Sequence, residues 1–418
     1  MSSTTRDIDQ RSERKELPEG WRWVKLGEVC LPDRQIVEPN TSHAESLAYY
    51  SLEHIESETG RILKTPTDPL ELEGKSMTFL FDQRHVLYGK LRPYLNKVAL
   101  PFSSGRCTTE MIPLLPSDGL DRIFLAWLLR RQETVEFAMQ GKTGSRMPRA
   151  DMDSLLTLHI PLPPLPEQQR IAAILKAQMA AVEKARTAAQ DRLRAIKALP
   201  AAFLRQIFPD PGQPLPDGWR WAKLGDVCAI VSKGTTPSSL GFSYVNEGIP
   251  FLRAEDINGS EVDPSKVAFY ISVETNNALD RSRLLPGDFL ITIAGTLGRV
   301  GYIAEGMPTM NCNQAVAFAR PKRELVDVEY MVCVCQNNTV IAPLLSQKAG
   351  GALQNLNLQQ VRGLEIPLPP LPEQQRISTI IKEQLAAIEQ ARIAAEAERK
   401  AINTLPAALL RRAFNGEL

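Results

Sequence analysis

The stretch Ile160–Ile171 reads IPLPPLPEQQRI, and the same twelve letters return at Ile366–Ile377. Two further echoes flank it. LPEGWRWVKLGEVC (Leu17–Cys30) matches LPDGWRWAKLGDVC (Leu215–Cys228), and LPAAFLRQIF (Leu199–Phe208) matches LPAALLRRAF (Leu405–Phe414). The offset is 198 residues for the opening and 206 for the other two. Solenoid repeats run to about 20–50 residues, so a period this long marks a duplicated domain. Duplication predicts a pseudo-two-fold arrangement with two similar sites at a fixed separation. The interiors, Leu31–His159 and Ala229–Glu365, do not align over most of their length. One frame with different contents is how two recognition modules of different specificity would be built.

Each half opens on a tryptophan-rich segment in which Trp21, Trp23 and Leu26, or Trp219, Trp221 and Leu224, anchor a strand or turn. Short apolar runs broken by Gly and Pro follow. HVLYGKL (His85–Leu91), VAL (Val98–Leu100) and EMIPLL (Glu110–Leu115) read as strands in the first half. FLITIAG (Phe289–Gly295), VGYIA (Val300–Ala304) and AVAFA (Ala315–Ala319) read so in the second. A single helix is expected over 123–140 and another over 328–345. Each precedes a Gly-rich loop, QGKTGSRMPRADM or QKAGGALQNLNLQQ, and a closing strand. The prolines of PLPPLPEQQR favour an extended strap. Helix then begins at Glu167, with acid and amides in its first turn.

From there the pattern is heptad. Leu175, Val182, Ala189, Ile196 and Phe203 are spaced by seven, as are Ile381, Ile388, Ala395, Ile402 and Leu409. Met179, Leu193 and Leu385 add parts of a neighbouring row. Both stripes need burial, and the simplest partner for each helix is the other. The expected fold is therefore α+β: two mixed α/β recognition domains separated by two long helices that form an antiparallel coiled coil. The expected boundaries are a disordered lead-in over 1–16, domain one over 17–160, a central helical region over 161–208, domain two over 209–366, and a C-terminal helical region over 367–418.

A chain of 418 residues suits two to four domains. Hydrophobic content of 43% and charged content of 23% are those of a globular protein. No apolar run reaches the about 18 residues of a membrane span, and the polar N-terminus has no signal-peptide core. The six cysteines contain no CxxC pair, which argues against structural zinc; Cys30 and Cys228, repeat equivalents beside apolar residues, read as buried thiols, and the compartment as a reducing cytoplasm. A net charge of +1 is low for a nucleic-acid binder, but its distribution is uneven. Between Asp82 and Glu110 the only charges are Arg84, Lys90, Arg92, Lys97 and Arg106. Between Glu136 and Asp151 they are Lys142, Arg146 and Arg149.

Catalytic constellations are missing. There is no [NDS]PP[YFW] element of an amino-methyltransferase. GKS at Gly74 and GKT at Gly141 lack the upstream glycine of a P-loop. All four histidines, His43, His54, His85 and His159, lie in the first half, which does not suit a symmetric catalytic pair. Gly295, Gly298 and Gly301 form a glycine pattern without a dinucleotide-binding context.

Two copies of PLPPLPEQQRI, each following a Gly-rich loop and a short strand and leading into a heptad helix, resemble the specificity subunit of type I restriction–modification systems. The LPxGWxWxKLGxV opening matches that family too. So do SKGTTPSS…GIPFLRAEDI (Ser232–Ile257), YGKLRPYLNKV (Tyr88–Val98) and PGDFLITIAGTLGRVG (Pro286–Gly301). The resemblance runs from Leu17 to the end of the sequence. It implies a cytoplasmic, non-catalytic subunit that reads a bipartite double-stranded DNA target, one half-site per recognition domain. It further implies that the helical regions, with Glu167, Gln168, Arg170, Glu373, Gln374 and Arg376, hold two methyltransferase subunits. Restriction subunits join through these. S-adenosylmethionine is then the methyltransferase's cofactor, and this chain binds neither cofactor nor metal.

Candidate DNA-binding residues follow from those segments. Lys90, Arg92, Lys97 and Arg106 can hold phosphates or pair with guanine, with Tyr94 between them. Lys142, Ser145, Arg146 and Arg149 lie on the first Gly-rich loop. The second half offers Lys233, Thr235, Arg253, Arg299 and Lys348, and the amides Gln354, Asn355 and Asn357 suit adenine edges. Three other readings stay open: a specificity subunit of a type II-like or phage-defence methyltransferase system, an assembly scaffold whose modules bind proteins, and an unrecognised nuclease. The target sequence is not legible.

Overall fold

The computed structural model describes residues 17–39, 41–63, 76–144, 146–346 and 355–418, so the lead-in of residues 1–16 lies outside them. The chain divides into two compact units: Met1–Ala189 with Glu398–Leu418, and Gln190–Ala397. Each long helix contributes one part to each unit.

In the first unit the strands are β1 (Arg22–Lys25), β2 (Cys30–Pro32), β3 (Ile36–Val37), β4 (Tyr49–Tyr50), β5 (Thr78–Phe81), β6 (Val86–Gly89), β7 (Val98–Ala99), β8 (Gly105–Thr108), β9 (Met111–Pro116) and β10 (His159–Leu162). They form a ribbon β1-β10 and two four-stranded sheets, β2-β9-β6-β7 and β3-β5-β8-β4. In the second unit come β11 (Arg220–Lys223), β12 (Cys228–Lys233), β13 (Ile249–Leu252), β14 (Tyr270–Ile271), β15 (Arg283–Leu284), β16 (Phe289–Thr292), β17 (Val300–Tyr302), β18 (Met310–Cys312), β19 (Val316–Pro321) and β20 (Glu365–Leu368). Their sheets repeat the plan: β11-β20, β12-β19-β16-β17 and β14-β13-β18-β15. The six strands expected from alternation all form.

Three expectations need correction. The helix expected over 123–140 is two, α1 (Arg122–Leu129) and α2 (Gln132–Gln140). Side chains take the carbonyls at the break: Thr134 Oγ1 donates to Leu128 O at 2.8 Å and Asn96 Nδ2 to Arg130 O at 2.9 Å. The counterpart over 328–345 breaks at Asn337 into α4 (Val328–Gln336) and α5 (Asn338–Ser346). The proline strap is shorter than expected, because Pro161 and Pro367 sit in two-stranded ribbons opposite Trp23 and Trp221. An outer strand tolerates the missing N–H. The long helices exceed the expected spans, α3 covering Leu165–Ile207 through Pro200 and α6 covering Leu371–Phe414 through Pro406. An internal proline costs about 3 kcal/mol. Burial of Leu204 and Phe208, and of Leu410 and Phe414, beyond the prolines offsets it at about 1.5–3 kcal/mol each.

The heptad stripe is inward throughout. Leu175, Val182, Ala189, Ile381 and Ala395 are buried, and Ile196, Phe203, Ile388, Ile402 and Leu409 are partly buried. Within each unit the helix parts run antiparallel. In the first, Arg170 meets Leu418 and Arg186 meets Asn403. In the second, Lys197 pairs with Glu396 at 3.6 Å while Phe203 and Ile207 lie beside Ile377. Each unit has an aromatic pair at the repeat-equivalent place in its core, Phe124 with Phe414 at 4.9 Å and Phe208 with Tyr330 at 5.8 Å between ring centres. All six cysteines are buried free thiols. Burial pushes Cys30, Cys228 and Cys333 up to about 12. Among the described residues no helix is long and apolar enough to cross a membrane.

Candidate nucleic-acid interface

In the first unit the connection from β6 to β7 carries Lys90, Arg92, Tyr94 and Lys97. Backbone hydrogen bonds lash it to the Gly-rich loop fifty-odd residues on: Arg92 N to Pro148 O at 2.7 Å and Ala150 N to Lys90 O at 2.8 Å. A mutual pair between Thr143 and Arg149 folds that loop on itself, at 2.9 and 3.0 Å. The two acid-free runs of the sequence therefore meet. Arg92, Tyr94, Lys142 and Arg146 are exposed there, and Lys90 is half-buried. Arg92 stands in the left-handed region, φ 53° and ψ 65°, which costs a side-chain-bearing residue about 1–2 kcal/mol. The loop around it over-determines that geometry and points the arginine to solvent. Arg149 Nε reaches both oxygens of Glu110, at 3.0 and 3.1 Å, so its charge is partly spent inside the unit.

Lys97 and Arg106 stand apart from this surface. Lys97 Nζ donates to Leu52 O at 2.6 Å. Arg106 is 2% exposed, donates from Nε to Ala44 O at 2.9 Å and lies 5.1 Å from the Tyr49 ring centre. Burial lowers the affinity of both for their protons. These two candidates are structural cations. Ser145 lies outside the described residues.

In the second unit the β16–β17 connection is the counterpart. Gly295 (φ 74°) and Gly298 (φ 78°) turn it, and it presents exposed Arg299. Leu356 N donates to Ile293 O at 2.9 Å, joining hairpin and second loop as Ala150 and Lys90 do in the first unit. Exposed Asn355 lies beside this junction. Strand register brings exposed Lys233 to the same end of the module, opposite Ala317, which also pairs with Ile291. Thr235 N bonds Cys312 O at 3.1 Å, and Asn313 N bonds Leu252 O at 3.0 Å, which places Arg253 there too. Arg253 stacks 4.6 Å over the Phe269 ring and pairs with Glu255 at 3.1 Å. Tyr244, absent from the sequence-based candidates, is 39% exposed and 5.0 Å from Phe269. No periodicity or charge run marks it; only an aromatic residue among loop formers could have. Asn357 is occupied as a helix cap, its Oδ1 accepting from Gln360 N at 2.9 Å. Lys348 and Gln354 lie outside the described residues.

The helix-start residues divide by role. Glu167–Arg170 and Glu373–Arg376 are surface ion pairs at 2.7 Å. Gln168 and Gln374, expected on the partner surface, are fully buried. Gln168 Oε1 accepts from Asp121 N at 2.8 Å, and its Nε2 donates to Gly119 O and Pro163 O at 3.0 and 2.8 Å. Gln374 does the same with Asp327 N, Leu325 O and Pro369 O, at 2.9, 3.0 and 2.8 Å. Each amide locks a long helix to the capped helix α1 or α4, so burial excludes it from any partner. The doubled EQQR thus encodes an internal clamp.

The duplication is what the family comparison also finds. A model of the type I restriction modification DNA specificity domain matches residues 78–189 and again 216–399. The chain belongs to that family. It is 25% identical over 283 residues to the type I restriction enzyme EcoBI specificity subunit of Escherichia coli, covering 62% of this chain and 58% of that protein. It is also 25% identical over 284 residues to the putative MjaX specificity subunit of Methanocaldococcus jannaschii, covering 63% and 61%. These alignments span little more than half of the curated relatives' length. Solved structures match more completely. The HsdS subunit from Thermoanaerobacter tengcongensis aligns with a TM-score of 0.70 and 25% identity over 97% of this chain and 100% of that one. A chain from work on complex assembly and conformational transition of the type I R-M system aligns at 0.77 and 26%, with the same coverage.

Proposed function

We propose that this chain is the DNA sequence-recognition and scaffold subunit of a type I restriction–modification complex. The observation that carries the reading is the duplication with divergent tips. Arg92, Tyr94, Lys142 and Arg146 are gathered on one module and Lys233, Arg253, Arg299 and Asn355 on the other, with a matching hairpin-to-loop backbone junction in each and strand register bringing Lys233 and Arg253 to it. Each module reads one half of a bipartite target. Exposed arginines pair with guanine edges or phosphates, Asn355 suits an adenine edge, and the aromatic rings stack or fill a groove. Arg149, tied to Glu110, orients its loop. The long helices carry two methyltransferase subunits, and through them restriction subunits. Those partners supply S-adenosylmethionine chemistry, adenine flipping and cleavage; this chain supplies no catalytic group. Its place is the cytoplasm.

The test is single-molecule sequencing of adenine methylation in the host with and without this gene. Loss of one bipartite methylation motif supports the reading. An unchanged methylome from a host whose methyltransferase is active refutes it. If the modules bound proteins instead, the assembled complex would show no salt-dependent, sequence-specific DNA binding.

A further inference from the structure

The second unit holds an open groove of about 310 Å³ lined by Phe203, Ile207, Trp219, Arg376, Ile377 and Ile380, with Glu373 at its rim. Every lining residue has a repeat counterpart in the first unit: Leu409, Ala413, Trp21, Arg170, Ile171 and Ile174, with Glu167. There the chain itself covers the place. Arg170 Nη2 donates to Leu418 O at 2.7 Å, and the Leu418 side chain packs, as Trp21 does, against the core cluster that contains Ile171. Gly416, at φ 73°, turns the segment against Pro18, which is half-buried as a result. The Glu417 N–H and carboxylate fasten the turn to Arg412 O and Asn415 Nδ2, at 2.9 and 3.1 Å. In the second unit the chain after Phe208 runs on as PDPGQP instead, and residues 210–214 are exposed. Pro216, the counterpart of Pro18, is exposed as well. Arg376 keeps its Glu373 partner at 2.7 Å and, like Arg170, has guanidinium donors to spare.

We propose that this groove docks a short segment of a partner polypeptide resembling Asn415–Leu418: an aliphatic side chain seated against Trp219, Ile377 and Ile380, with its main-chain oxygen on Arg376 and an acidic residue before it. The first unit shows the occupant's chemistry: Arg170, which Arg376 repeats, there holds the main-chain oxygen of a leucine whose side chain packs on the core, with Leu409 and Ala413 in place of Phe203 and Ile207. The inference does not rest on the DNA-reading role.

A labelled peptide of the Arg411–Leu418 sequence, titrated into the full chain, tests it by stoichiometry. One peptide binds per chain, since the first unit's copy of the site is filled. Deleting Glu417–Leu418 raises the number to two. Ile380→Arg removes the wild-type site, whereas Ile174→Arg leaves it, and Arg376→Gln weakens it about ten-fold. Circular dichroism matching the parent keeps each variant interpretable. No binding to the wild-type chain, or one site seen only after the deletion, overturns the proposal. So does self-association that disappears on the same deletion, which would assign the groove to a second copy.

Discussion

Replacing Gln374 with leucine removes the clamp between α6 and α4 while keeping a side chain of similar length. Three backbone groups lose their partner: Asp327 N–H, Leu325 C=O and Pro369 C=O. A buried polar group left unpaired costs about 1–3 kcal/mol, and leucine returns about 1 kcal/mol of apolar burial. For three such groups the net loss is about 2–8 kcal/mol, a large share of the stability of one unit. Gln374→Glu is the sharper companion. Its carboxylate accepts from Asp327 N–H but faces two carbonyls with nothing to donate. Burial and the carbonyls hold its folded pKa above the about 4.3 of an exposed glutamate. Its stabilising donor is therefore fully present below that value and is lost as pH rises through the folded pKa. Urea unfolding, followed by backbone hydrogen exchange resolved on each unit, checks both variants. Gln374→Leu loosens the second unit and leaves the first protected; Gln168→Leu does the reverse. A shift under about 0.5 kcal/mol in Gln374→Leu, or a Gln374→Glu deficit that grows as pH falls to 5, refutes the clamp.

Further expected outcomes are local. Arg92→Ala weakens discrimination at one half-site only and Arg299→Ala at the other, each by about 1–3 kcal/mol where the contact is to a base, read by competition binding of the assembled complex. Arg106→Ala instead lowers the thermal stability of the first unit, because its loss empties a buried hydrogen-bonding position. Hydrogen bonding from Arg84 holds Asp82 at about 2. Arg84→Ala should raise that carboxyl toward its ordinary range by NMR titration, so the contribution present above about pH 4 fades at higher pH than in the parent. A thiol reagent at pH 8 should label none of the six buried cysteines in the folded chain and all of them in urea. Deleting one heptad from each long helix, Val182–Ala188 and Ile388–Ala394, removes about 10 Å of helix, or about three base pairs of rise. The expected methylation motif keeps both half-sites and shortens the spacer.

The frame was legible because its signals are periodic or doubled. Heptad spacing placed every stripe residue inward, and alternation found all six named strands. What escaped depends on contacts between distant residues. Nothing local says that Thr134 and Asn96 will cap carbonyls in mid-helix, or that Leu204 and Phe208 will hold a helix together past Pro200. Gln168 looked like a surface amide because its three partners come from Asp121, Gly119 and Pro163, two of them nearly fifty residues away. Charge runs located the two loops that meet in the first unit but could not separate exposed Arg92 from buried Arg106, since both sit in the same acid-free stretch. Tyr244 was missed because its place is set by stacking on Phe251 and Phe269.

The central claim is that each unit carries its own reading head on a common frame. Exchanging Leu31–His159 for the corresponding interior of a relative, with the flanking repeats untouched, tests it most directly. Adenine methylation mapped by single-molecule sequencing should show one half of the bipartite motif replaced and the other half unchanged. A motif in which both halves change, or neither does, in an active complex would contradict it.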